Sequence, residues 1–149
     1  VPKNKWSVSM PTKPYRLLDH TADLGFEIYG RDLPELFANA CFALFDTLTD
    51  LARVTGDTVR TITVTGVDRP DLMINWMREM LSQWTVDGLL IKSTKISGLT
   101  ETRLTAELAS DRYAPDRHIL KTDIKAVTYH QAAVDKRDKG WTARVIVDV

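Results

Sequence analysis

Asp19, His20 and Asp23 lie within the five residues DHTAD, immediately ahead of the alternating run LGFEIYG. Two carboxylates and an imidazole this close can bind a metal, work as an acid/base pair, or cap loose backbone groups in a turn. At the far end of the sequence, WTARVIVDV places Thr142, Arg144, Ile146 and Asp148 on one face of a strand, with Trp141, Ala143, Val145, Val147 and Val149 on the other. Asp is depleted in strands and costly to bury alone, so Asp148 is either solvated at a fraying end or balanced by a cation. An α-carboxylate at Val149 would add an anionic oxygen one residue away. The ends of a domain commonly lie close in space, which would let Asp23 or Asp19 meet Asp148. Three or four oxygen donors suit Ca²⁺ or Mg²⁺ better than zinc, which favours Cys and His.

The other ionisable side chains carry weaker signals. Asp19 could orient the His20 ring for proton transfer, or His20 could simply cap and pack. His118 falls in a long loop, and His130 on a strand beside Tyr129, where a half-buried structural role is expected; neither forms a recognisable motif. Lys125, in DIKAVTYH, reads as a solvated strand residue whose neighbours Asp123 and Tyr129 leave room for a function. The sequence contains no Gly-rich phosphate loop, nucleophile elbow, zinc spacing or dinucleotide fingerprint, which disfavours a self-sufficient NTPase, hydrolase or dehydrogenase.

Charge and composition limit the setting. Twenty Lys and Arg balance twenty Asp and Glu, and basic residues are not interleaved with aromatics, so if the protein works on RNA it would do so through a partner. The single Cys41 excludes an intramolecular disulfide, and no window approaches the roughly 20 apolar residues of a membrane span. A cytoplasmic protein is expected. VPKNKWSVS lacks the apolar centre of a signal peptide, and Met10 could be the natural start. Residues 1–13 are expected to form a poorly ordered leader and residues 14–149 one domain, since 149 residues with 44% hydrophobic content can bury a substantial core.

The elements that must hold these groups follow from periodicity. Leu24, Phe26 and Ile28 alternate as in a half-buried strand. Leu33 to Leu48 shows the three-and-four spacing of a helix, with Asp32 as N-cap and Glu35 completing a capping-box-like pair. A Thr/Val-rich strand is expected at 58–67, and a second helix carries Leu72, Met73, Trp76, Met77, Met80, Leu81 and Trp84, whose Met and Trp residues read as core. Asp68-Arg69-Pro70-Asp71-Leu72 echoes Asp32-Leu33-Pro34-Glu35-Leu36, through an old duplication or through shared capping chemistry. Strands are expected near 88–97, 101–109, 123–134 and 141–148, with DKRDKG as a charged hairpin turn and the loop SDRYAPDRHILKT before the third of them. The order strand, helix, strand, helix, four strands predicts an α+β fold with mixed or antiparallel sheets.

YRLLDHTADLGFEIYGRDLPELFANACFALFDTLTD, LMINWMREML, DIKAVTYHQAAV and ARVIVDV occur in this order, and from Tyr15 to Val149 the chain resembles the archeases. The resemblance implies a protein cofactor of the GTP-dependent tRNA-splicing RNA ligase, which joins RNA ends bearing a cyclic or terminal phosphate. Archeases promote that enzyme's guanylylation and repeated turnover and are not themselves ligases. The resemblance also implies a divalent metal, Ca²⁺ first with Mg²⁺ or Mn²⁺ as alternatives, held by Asp23, Asp148 and a backbone or carboxylate oxygen of Val149. It implies a functional lysine at Lys125 and supporting places for Asp19 and His20. Archeases commonly carry a Gly-Glu stretch where this chain has SDR, and a Gly-Thr-Glu-like lead into the lysine strand; Asp111 and Asp123 stand there instead. Two other readings compete: a stand-alone metal-dependent phosphoesterase with His20 as base, and a chaperone-like adaptor for an RNA-modifying enzyme that presents the Met/Trp helix as a binding face.

Overall fold

A computed structural model describes residues 13–19 and 23–149, the side chain of Asp19 excepted. The leader expected at 1–13 therefore falls almost wholly outside the described residues, as does His20. Strand β1 (Tyr15–Asp19) turns back into β2 (Asp23–Gly30), followed by α1 (Leu33–Leu48), a 3-10 turn (Leu51–Arg53), β3 (Thr58–Thr65) and α2 (Arg69–Thr85). Four strands complete the chain: β4 (Leu89–Leu99), β5 (Arg103–Arg112), β6 (Ala126–Arg137) and β7 (Gly140–Asp148). The fold is α+β, in the expected order, with β1 added at its front. YRLLD escaped the periodicity reading because Leu17 and Leu18 are adjacent, and Leu17 on this edge strand stays 41% exposed.

All strand pairing is antiparallel. One sheet has the order β1-β2-β7-β6 and the other β3-β5-β4. Both helices lie between them, α1 against β2 and β4 and α2 chiefly against β6, β4 and β3. The interior is filled by the residues whose spacing predicted the helices: Leu36, Phe37, Ala40, Leu44 and Leu48 from α1, and Leu72, Met73, Trp76, Met77 and Met80 from α2. Phe26, Ile28, Val145 and Val147 meet them from one sheet, and Leu104, Ala106 and Leu108 from the other. Each of the larger side chains among these contributes about 1.5–3 kcal/mol by leaving water. Trp76 is fully buried, and its indole Nε1 donates to the Phe37 carbonyl at 2.8 Å, tying α2 to α1. This burial removes the reading in which the Met/Trp helix is an exposed binding face. Burial also pushes the Cys41 thiol up to about 12, which leaves it un-ionised and unreactive.

The two helix entrances match atom for atom. Asp32 and Asp68 each accept from the backbone N–H three residues on, at 2.9 Å, and Glu35 and Asp71 reach back to the N–H of Arg31 and Val67, at 2.8 Å. Asn39 and Asn75 donate to the carbonyls of Tyr29 and Thr65 at the preceding strand ends. Pro34 and Pro70 occupy the first turn, where a missing N–H costs nothing; α2 accordingly begins at Arg69, ahead of the apolar run.

β6 differs most from expectation. It runs three residues later than 123–134, and its pairing with β7 jumps from Thr128↔Ile146 to Ala133↔Arg144, so that residues 129–132 stand opposite Val145 alone. Gln131 within this bulge has φ 57°, a conformation rare for a residue with a side chain. α2 supports the bulge: Tyr129 donates to Asp71, the Arg78 guanidinium lies 4.6 Å from the Tyr129 ring, and Arg78 Nε donates to the Val127 carbonyl at 3.1 Å. His130, expected half-buried, is exposed, because the bulge lifts it off the sheet. Among the described residues no helix is long and apolar enough to cross a membrane.

Candidate functional site

β7 lies inside its sheet, between β2 and β6, and this position brings the candidate groups together. Asp23, which opens β2, is the cross-strand partner of Asp148, which closes β7. Directly opposed residues in an antiparallel pair share a face, with Cβ atoms about 4.5–5.5 Å apart. Since Leu24, Phe26, Val145 and Val147 face the helices, both carboxylates belong to the outward face at the end of the sheet. Both residues are half-buried, and Val149, next along, is exposed. On the other side of Asp148 lies Ala126, and the Lys125 backbone N–H donates to the Asp148 carbonyl at 2.8 Å. The Lys125 side chain is exposed at the same sheet end. Asp19 closes β1 opposite Leu24, so its backbone reaches the same edge, while its side chain and His20 lie outside the described residues.

Two like charges facing one another across a strand pair repel. Among the described residues neither Asp23 nor Asp148 has an ion-pair partner, and no group of three or more His, Cys, Asp or Glu side chains forms a complete ligand cluster. The donor set is hard oxygen throughout. It fits an ion such as Ca²⁺, which takes carboxylate and backbone oxygens and completes its shell with water.

Asp111, expected to replace an acidic residue of the long loop, turns elsewhere. It belongs to the three-stranded sheet, where it is the partner of Leu90, and it is only 7% exposed. Its carboxylate accepts from the Thr55 backbone N–H at 3.2 Å, from Arg117 at 2.9 Å and from His118 Nε2 at 2.9 Å. The Ala114 N–H donates to His118 Nδ1 at 2.9 Å, which leaves the ring proton on Nε2. His118 is buried and stacks on Tyr113, which in turn meets Trp84 edge to face. Farther along, Thr49 donates to the Ile119 carbonyl and the Lys121 N–H to the Leu48 carbonyl at 2.8 Å. The loop is thus fastened at both ends before it delivers Ile124 to the core and Lys125 to the sheet. Sequence reasoning missed this cluster because its contacts span a loop and follow no helical or strand period; the available signal was the coincidence of Asp, Arg and His within one long connection. Asp123 is exposed.

These features define a β-rich α+β domain whose first hairpin and last strand jointly present acidic groups. Residues 15–149 match the model of the Archease protein family, and the chain belongs to that family. Protein archease from Methanosarcina acetivorans is 36% identical over 141 residues, 92% of this chain and 97% of that protein. Protein archease from Methanosarcina barkeri is 34% identical over 146 residues, 95% and 100% of the two chains. The solution structure of Methanobacterium thermoautotrophicum protein 1598 is 31% identical and superposes with a TM-score of 0.79, covering 93% of this chain and all of that one. Family membership supports an accessory, protein-cofactor role in RNA processing.

Proposed function

We propose that this protein activates the GTP-dependent tRNA-splicing RNA ligase, promoting its guanylylation and repeated turnover, and that it acts as a protein cofactor rather than as an independent enzyme. RNA is contacted mainly through the ligase, in the cytoplasm. The observation that carries this reading is the register of Asp23 against Asp148, with Lys125 bonded through its backbone to Asp148. Asp23, Asp148 and an oxygen of Val149 would hold a divalent ion, Ca²⁺ before Mg²⁺ or Mn²⁺. When bound, such an ion supplies a local positive charge and relieves the repulsion between the two carboxylates. Lys125 adds its ammonium group to the same surface, and the sheet end becomes the part of the molecule offered to the ligase.

The test mixes the purified protein with the ligase, with and without chelator, and compares Asp23→Asn, Asp148→Asn and Lys125→Ala. Each variant is expected to lower stimulation at least about tenfold, a loss of about 1.4 kcal/mol in the stimulated step, with the circular dichroism spectrum unchanged. The Asn variants should lose the rise in melting temperature that Ca²⁺ gives the parent. In chelator they should be slightly more stable than the parent, because one of two facing charges is gone. Full stimulation by both Asn variants would overturn the proposal.

A further inference from the structure

The described residues form two sheets with four edges, and three of these are better guarded against pairing with another strand. β1 has only five residues and carries Arg16. β4 is broken by two register shifts, between Ile91 and Ser93 and between Ile96 and Gly98, and carries Lys92 and Lys95. β6 has its four-residue bulge. Short length, charge and bulges are the usual means of blunting an edge. β3, TVRTITVT, is the least guarded: it has eight residues, pairs with β5 without a shift along its whole length and is mostly β-branched, and its one charge, Arg60, is engaged by Gln83 and Asp87 of its own chain.

The direction of its free groups can be read from the register. Gly66 N–H donates to the Thr102 carbonyl at 2.9 Å, one step beyond the pair Thr65↔Arg103. The even-numbered residues of β3 therefore exchange hydrogen bonds with β5, and Val59, Thr61 and Thr63 direct N–H and C=O outward. The Thr65 carbonyl is taken by Asn75 Nδ2 at 2.9 Å, which closes the free stretch on that side. Among the described residues no other group bonds the backbone of residues 59–63. Val59 is 61% exposed.

We propose that β3 pairs antiparallel with β3 of a second copy, about a two-fold axis through Thr61, joining two three-stranded sheets into one. Thr61 then faces its own counterpart, Val59 faces Thr63, and Arg60 faces Ile62, giving about six main-chain hydrogen bonds. The stretch is self-complementary in this register. Opposed residues lie on the same face, no charge meets its like, and the Arg60 guanidinium is already held by Gln83 at 2.9 Å and Asp87 at 3.0 Å of its own chain. Equal numbers of acidic and basic residues leave no net repulsion between copies. One strand pair buries less than the roughly 1,200 Å² of a standard interface, so the dimer is weak and concentration-dependent.

The experiment follows weight-average mass by light scattering from about 10 µM to 1 mM. The parent should rise by up to about twofold, and Thr61→Pro should stay flat. Proline at this position removes an outward N–H and no bond to β5. Thr61→Lys, which sets two like charges face to face, serves as the second variant should proline disturb the strand. Thr61→Cys should cross-link into a dimer under mild oxidation, since facing Cα atoms about 5.5 Å apart suit a disulfide. Glu101→Cys, in the β4–β5 turn, is the control. A parent of constant mass up to 1 mM, a mass rise that both Thr61→Pro and Thr61→Lys retain, or Thr61→Cys cross-linking no faster than the control, overturns the proposal.

Discussion

Burial alone would raise the Asp111 carboxyl, yet the Thr55 amide, His118 and Arg117 together outweigh it and hold it down at about 2. A carboxyl lowered in the folded state stabilises the fold above its unfolded value, near 3.9, and that contribution disappears as pH falls toward 2. Asp111→Asn should therefore be less stable than the parent by about 1–2 kcal/mol at neutral pH, with the gap closing between about pH 4 and pH 2. Urea unfolding followed across that range measures it, and a gap independent of pH would contradict the assignment. Asp23 and Asp148 differ from Asp111 in kind: each stands opposite another carboxylate across the strand pair. That convergence was legible because the first and last strands of such a domain commonly lie close in space. The Asp111 cluster was not, since nothing in SDRYAPDRH indicates which of its side chains turn inward.

At the scale of elements, the entrances to α1 and α2 show local chemistry repeated in detail. Gly30 and Gly66 sit where the chain passes close under the first helical turn: a Cβ would lie 2.5 Å from the Leu36 nitrogen at the one and 2.6 Å from the Leu72 nitrogen at the other. Both obstacles are backbone, so neither can move aside cheaply. Gly66→Ala is expected to destabilise by about 2 kcal/mol or more, lowering the thermal midpoint by several degrees, whereas Gly56→Ala, which would meet the Ala109 methyl at 3.1 Å, should cost less. Differential scanning calorimetry of the two variants decides this. The helices were legible because capping residues and apolar spacing act within one turn. β1 and the β6 bulge were not, because an edge strand need not alternate and a bulge is held by α2, far off in sequence.

For the whole molecule, two sheets enclosing two helices leave charge at the surface, and positive and negative side chains cancel in number. Solubility should therefore be lowest near neutral pH and rise on either side, as the midpoint of precipitation by polyethylene glycol would record. A minimum displaced by two pH units would indicate that buried or paired groups dominate the titration. Composition made a substantial core legible, and the order of the periodic segments the α+β class. Sheet order was not, because strands of similar pattern can be threaded in several ways, and only long-range packing selects β1-β2-β7-β6.

That order has a consequence for how the protein is made. Residues 140–148 leave the ribosome after every other strand, yet they fill an interior place between β2 and β6. Until they emerge, the hairpin of β1 and β2 and the nascent β6 have no common neighbour, and the acidic sheet end does not exist. The nascent chain is thus held in an unfinished state until β7 has emerged, and the sheet end that carries Asp23 and Asp148 forms in that one step.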